Sequence, residues 1–147
     1  MRAFASAVAL LVLLPTTSIA GPKEEALQLL EKWAKAFTES DVDTIVKLHA
    51  PDALFLGTAS KTVVTQTAGV RAYFENALLN NRPRSAKLTD YKVLELSNSV
   101  VAVSGQDLLG GVRDGSPFAN AGRVTFVIAK RGADWQIVQF HRSPVPN

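Results

Sequence analysis

The residues best suited to acid/base or metal chemistry are few in this sequence of 147 residues, which holds two histidines and no cysteine. His49 and Asp52 lie three positions apart, close enough to form an acid/base pair, although an aspartate at this point is also typical of a turn. Neither His49 nor His141 has a second histidine or a cysteine at the spacing of a helix or a turn. The sequence therefore predicts no metal site, and it excludes thiol catalysis and zinc–thiolate centres.

A second group of candidates lies in the last quarter of the chain, where Arg123, His141 and Arg142 fall on predicted strands. Neighbouring residues of a strand point to opposite faces, so either His141 or Arg142 can face an interior, and the sequence leaves open which. A guanidinium suits a carboxylate because its planar donors bind both oxygens. The alternative for each residue is a cation in water, or one paired with an acid of its own chain.

Aromatic residues recur at helix and strand spacing, which is typical of a core and equally of the wall of an internal pocket. They are Trp33, Phe37, Phe55, Tyr73, Phe74, Phe126 and Phe140. Tyr73 is the best candidate for a polar contact, because a buried phenol needs a hydrogen-bond partner.

The first twenty residues have the three-part pattern of a secretory signal peptide. Arg2 precedes an apolar stretch from Phe4 to Leu14, and Ser18-Ile19-Ala20 precedes Gly21. This stretch of 11 residues is shorter than the roughly 20 that span a bilayer. We expect a signal peptide over residues 1–20, and a periplasmic or secreted domain over 21–147 that has no membrane attachment after cleavage.

The mature chain is predicted to be a single α+β domain. Apolar residues at spacings of three and four predict a helix over Lys23–Glu39, a short one after Ser40 and Asp41, and a third capped by Thr67. Alternation from Ser85 onward predicts four strands joined by hairpins, and a short strand precedes them at Ala53–Leu56. This order places three helices on one face of a curved antiparallel sheet.

Charge and motifs indicate which classes of partner and cofactor to expect. The formal charge of +3 is spread along the chain rather than clustered, so nucleic-acid binding is not expected. There is no glycine-rich dinucleotide motif, and we predict no cofactor. The predicted strand Arg123–Ala129 has apolar residues on both faces, which indicates that its second face is covered by another copy of the chain.

Three segments carry a resemblance to a known family. They are LHAPDALFLGT at 48–58, RAYFENAL at 71–78 and WQIVQFHRS at 135–143, followed by Pro144 and Pro146. Together they resemble the association (hub) domain of calcium/calmodulin-dependent protein kinase II and its free-standing bacterial relatives, in the NTF2-like superfamily. The resemblance spans about Glu25 to Pro146, and none of the kinase motifs occurs in this sequence. It implies a cone in which helices pack inside a bent sheet and leave a cavity at the open end.

The resemblance implies a non-catalytic protein that forms homodimers or larger homo-oligomers and binds a small acidic molecule in its cavity. Carried onto this sequence, the implied ligand-binding residues are Arg123, His141 or Arg142, with Tyr73 and Trp33. The alternative is a small isomerase or dehydratase of the SnoaL-like or ketosteroid-isomerase-like kind, which needs a carboxylate or histidine base deep in the cavity. In this sequence Asp107, Asp52 and the two histidines are the candidates for that base.

Overall fold

The computed structural model describes residues 20–79, 82 and 84–146, so the predicted signal peptide lies almost entirely outside the described residues. The elements are α1 (Pro22–Glu39), α2 (Val42–Leu48), β1 (His49–Leu56), α3 (Thr67–Leu78), β2 (Arg84–Ser97), β3 (Val100–Arg113), β4 (Ser116–Arg131) and β5 (Asp134–Pro144). Among the described residues, no helix has both the length and the apolar character needed to cross a membrane.

Capping residues account for the ends of the first two helices. Pro22 is the first residue of α1, where its missing N–H costs nothing, and Ser40 caps the C-terminus of α1 with φ 56°. Asp41 caps α2 by accepting a hydrogen bond of 3.0 Å from the Thr44 amide. The third helix differs from the prediction, because Gln66 occupies the N-cap position without a side-chain hydrogen bond and Thr67 is already helical.

The five strands form one curved open sheet in the order β1-β5-β4-β3-β2. The strands β2 to β5 form an antiparallel meander, as predicted, whereas β1 pairs with β5 in parallel. The predicted fold class is confirmed, and the sheet departs from the predicted antiparallel arrangement in the β1–β5 pair. A parallel pair needs a long crossover connection, and here α3 and the whole meander supply it.

Strand alternation divides the sheet into two faces with different character. A row facing the helices contains Val93, Val103, Phe126 and Phe140, which pair side by side across β2 to β5. The neighbouring row on the outer face contains Lys92, Ser104, Thr125 and His141. The inner row is buried or half-buried against the helices, and the outer row is half-buried or exposed. The core therefore lies between the helices and the concave face of the sheet.

An aromatic cluster anchors α1 to the sheet. The indole of Trp33 lies 5.4 Å from the rings of Phe37 and Phe126, and 5.9 Å from that of Phe140. Phe140 also stacks on Phe55 at 5.0 Å, which links β5 to β1. Such pairs add about 0.5 to 1.5 kcal/mol each to the effect of burial.

Candidate functional site

A cavity of about 510 Å³ opens at the end of the sheet near the β3–β4 hairpin. Its floor is aromatic and includes Trp33, Phe74 and Phe140, and its polar lining includes Tyr73, Asn76 and Asn120. Its charged lining residues are Arg84, Arg113 and Arg142. Among the described residues that line this cavity there is no aspartate, glutamate or histidine. The cavity is therefore aromatic at its floor and cationic in its charge.

Arg142 is held by a buried ion pair with Asp107. Its Nε–H donates to both oxygens of that carboxylate, at 3.0 and 2.8 Å, and its Nη2 donates to Oδ1 at 2.7 Å. The remaining donors reach the Thr58 hydroxyl at 2.9 Å and the Asn120 carbonyl at 3.1 Å. Both residues of the pair are less than a tenth exposed. These hydrogen bonds hold the Arg142 guanidinium in one orientation at the cavity wall, and Asp107 neutralises its charge.

Tyr73 lies beside this pair, against the start of the loop that follows β1. A side chain at Gly57 would fall within 2.4 to 2.7 Å of the tyrosine ring and hydroxyl, so the close approach requires glycine there. Burial raises the pKa of the Tyr73 phenol, against hydrogen bonds from the backbone of Ala59 and Thr58 and the charge of Arg142. The phenol therefore stays protonated at neutral pH and serves as a polar group of the wall.

Two further arginines at the cavity were not among the residues predicted from the sequence. The Arg84 guanidinium lies 5.9 Å from the Phe37 ring and 5.8 Å from the Phe118 ring, and the Arg113 guanidinium lies 5.0 Å from Phe118. Neither forms an ion pair with an acidic residue in the part of the chain that the structure describes. Both arginines lie beside turn sequences, Arg82-Pro83-Arg84 and Asp114-Gly115, and nothing in the local sequence distinguishes them from solvated cations.

Comparison with known proteins places the chain in a family. The SnoaL-like domain matches residues 26–147. The chain belongs to the SnoaL-like domain family. No curated protein matches the sequence.

The solved structures similar to this SnoaL-like domain share its fold at low identity. A Xanthomonas campestris protein assigned as a calcium/calmodulin dependent protein kinase II association domain has a TM-score of 0.78 and 24% identity, covering 92% of this chain and 99% of that one. An NTF2-like superfamily protein of Salmonella enterica has a TM-score of 0.75 and 16% identity, covering 85% and 92%. A Novosphingobium aromaticivorans protein assigned as a scytalone dehydratase has a TM-score of 0.74 and 10% identity, covering 83% of each chain. The NTF2-like fold predicted from the sequence is confirmed.

The structure separates the predicted ligand-binding residues of this SnoaL-like domain into two groups. Trp33, Tyr73 and Arg142 line the cavity, so the choice between His141 and Arg142 falls to Arg142. Arg123 and His141 are exposed and share an open groove of the outer face instead. The expected position of Arg123 inside the cone is therefore corrected. The reason is alternation: Val124 and Phe126 face the helices, so Arg123 faces away.

His49 and Asp52 do not form an acid/base pair in this SnoaL-like domain. His49 is buried among aromatic rings, where its Nδ1–H donates to the Ile45 carbonyl at 2.8 Å and its Nε2 has no partner among the described residues. Burial lowers the pKa of His49 to about 4, against the opposing effect of the Ile45 hydrogen bond. Asp52 is exposed and pairs with Arg131 at 3.4 Å. Each residue therefore has a local structural role.

A second, smaller cavity of about 270 Å³ lies between α1 and the strands β2 and β3. Its lining is mostly apolar. Trp33 and Leu109 line both cavities and therefore form part of the wall between them. Asp107 also lines this cavity, but three hydrogen bonds tie its carboxylate to Arg142. Within the described chain the structure shows no group of three or more histidines, aspartates or glutamates arranged to hold a metal ion.

Proposed function

We propose that this protein is an exported binding protein that takes a small carboxylate into the cavity at the open end of the cone, and that catalysis is not its role. One observation carries the proposal. The charged lining residues of that cavity are all arginines, and of these Arg142 alone has a carboxylate partner among the described residues. An acidic molecule would supply the counter-charge that Arg84 and Arg113 lack.

Partial burial makes this need for a counter-charge stronger. The Nε atom of Arg84 is buried without a hydrogen-bond partner in the described structure. A buried donor left unpaired, or a cation partly withdrawn from water, raises the free energy of the empty cavity. A carboxylate bound there would accept hydrogen bonds from the guanidinium groups while Phe37 and Phe118 hold them in place. Binding would therefore give the unpaired donor an acceptor and the cations a counter-charge.

The enzyme alternative has weaker support from the residues. An isomerase or dehydratase needs a base that reaches the substrate, and the described lining of the larger cavity offers no carboxylate or imidazole for that role. Asp107 is the buried acid nearest to it, but its oxygens already accept the three hydrogen bonds from Arg142. Such a pairing favours a structural role over proton abstraction.

Export and self-association complete the proposal. The pattern of Arg2, Phe4–Leu14 and Ser18-Ile19-Ala20 supports export, and N-terminal sequencing of the protein purified from its own source should begin at or near Gly21. An intact Met1 in the major species would contradict it.

Exposed apolar residues on the outer face of the sheet support self-association, since such a face is usually covered.

Calorimetric titration with small carboxylates at low ionic strength tests the binding function. We expect saturable binding to the wild-type protein, weakened by roughly tenfold or more in Arg84→Gln or Arg113→Gln, because each variant loses a charged hydrogen bond. Arg123→Gln is the matched control, because it removes the same charge from the outer face. Loss of binding in the control alone, or the absence of binding to any carboxylate, would contradict the proposal.

A further inference from the structure

We infer that the ligand of this cavity is a dianion, a small molecule that carries two negative charges, rather than a simple monocarboxylate. This inference rests on the proposed binding function and specifies its ligand class. The basis is a count: two cations of the cavity have no neutralising acidic residue in the described chain.

The arginines of the cavity divide by their partners. Arg142 and Asp107 are both buried and joined by three hydrogen bonds, so this pair carries no net charge toward the cavity. Arg84 is half-buried and Arg113 is exposed, and neither has an acidic partner among the described residues. The cavity lining therefore has two positive charges that no acid of the described chain pairs with, one of them partly withdrawn from water. A monocarboxylate would neutralise one of them and leave the other.

The two uncompensated guanidinium groups lie against the same aromatic ring. Both lie within 6 Å of the Phe118 ring centre, Arg84 at 5.8 Å and Arg113 at 5.0 Å. Burial, together with the nearby charge of Arg113, lowers the pKa of the Arg84 guanidinium. The two cations therefore repel each other in the empty cavity. One bound negative charge leaves a net positive charge beside the Phe118 ring, and a second one neutralises it.

The rest of the cavity limits the body of the ligand. A volume of about 510 Å³ admits a small molecule, and the aromatic floor of Trp33, Phe74 and Phe140 suits an apolar or planar body. The half-buried Tyr73 and the exposed Asn76 offer neutral hydrogen bonds at the cavity wall. Two chemical sources fit two charges on such a body: a dicarboxylate, or a phosphate monoester.

Matched ligand pairs separate charge from shape. Succinate, glutarate and adipate would each be titrated by calorimetry against its own monoamide, which keeps the length and removes one charge. Phenyl phosphate would be compared with phenyl sulfate, its near-isosteric monoanion. We expect the dianion of at least one pair to bind roughly tenfold or more tightly than its partner at fixed salt and near-neutral pH. The pair showing the larger preference identifies the dicarboxylate or the phosphoryl source.

Variants then connect the preference to the two arginines. In Arg84→Gln and in Arg113→Gln the ratio of dianion to monoanion affinity should fall toward one, while Arg123→Gln should keep the wild-type ratio. Thermal unfolding of each variant verifies that it is folded. Equal affinity for both members of every pair would overturn the dianion inference and leave carboxylate binding intact. An absence of binding by all of the carboxylates would overturn the proposed function itself, even if phenyl phosphate bound.

Discussion

Asp107 and Arg142 form their ion pair across a strand that lies between them. Asp107 belongs to β3 and Arg142 to β5, and β4 separates these strands in the sheet. The pair passes over Gly122 of β4, whose missing side chain leaves room for the guanidinium and the carboxylate. The pair thus fixes three adjacent strands relative to one another at the wall of the larger cavity.

Removing one member of this pair should be much worse than removing both. Asp107→Asn leaves the Arg142 guanidinium buried without its counter-charge, so we expect a loss of about 3 to 5 kcal/mol in the free energy of unfolding. Asp107→Leu combined with Arg142→Met should recover most of that loss, because apolar side chains replace both charges. Urea unfolding of the single and double variants measures the coupling. Equal and additive losses would show that the pair contributes no interaction energy.

Gly122 should tolerate no side chain. In Gly122→Ala the added carbon would lie 2.3 Å from Nη2 of Arg142 and 2.7 Å from Oδ1 of Asp107, well inside van der Waals contact. We expect a destabilisation of about 3 kcal/mol or more, from overpacking and disruption of the pair. Gly110→Ala is the control, since its added carbon meets mainly the Ser85 hydroxyl, which can rotate away. Melting temperatures of the two variants that fall together would contradict this account.

Burial of His49 should make the protein less stable in acid. Its pKa falls from an ordinary value of 6.5 in the unfolded chain to about 4 in the folded one, so between these values the unfolded chain binds the additional proton. The stability that goes with the neutral imidazole is fully present above about pH 6.5. It is lost as the pH falls toward 4, and the free energy of unfolding decreases by roughly 3 kcal/mol. Urea unfolding over this pH range measures it.

His49→Phe should flatten that pH profile, because the aromatic surroundings accept a phenyl ring and the titrating group is gone. His141→Gln, a change at the exposed histidine of β5, should keep the wild-type slope. An unchanged slope in His49→Phe would assign the acid sensitivity to other groups.

Much of the fold follows from the sequence because its periodicities are strong. The spacing of Leu30, Trp33 and Phe37 places α1 and its buried face correctly, and the turn residues Asp114 and Gly115 adopt the positive φ values that a tight hairpin needs. The parallel pairing of β1 was not predictable, since no local pattern specifies which edge of a sheet a strand joins.

The site was harder to predict because its residues depend on orientation and register. On β4, Val124 and Val127 give both faces an apolar residue, so alternation alone did not assign Arg123 to a face. Arg84 and Arg113 approach each other only through the β2–β3 register, in which Arg84 pairs with Gly111. Register is a property of the whole hairpin, and the sequence near either arginine does not contain it.

The outer face of the sheet provides the test of self-association. One cross-strand row of this face is apolar except for Gln139, and its other members are Leu94, Ala102, Val127 and Leu54. Leu94 and Leu54 are 60% and 51% exposed. A second copy packed on this row would remove that apolar surface from water, with a gain of about 25 cal/mol for each Å² buried. Light scattering at micromolar concentration should therefore report at least a dimer.

Leu94→Lys should shift the assembly toward monomer, because a charge in the apolar row opposes burial against a partner. Val63→Lys is the matched control: Val63 is 51% exposed, but it lies in the loop after β1 and outside the row. We expect the control to keep the wild-type mass. A monomeric wild-type protein, or a control that dissociates as readily as Leu94→Lys, would show that this face is not the interface.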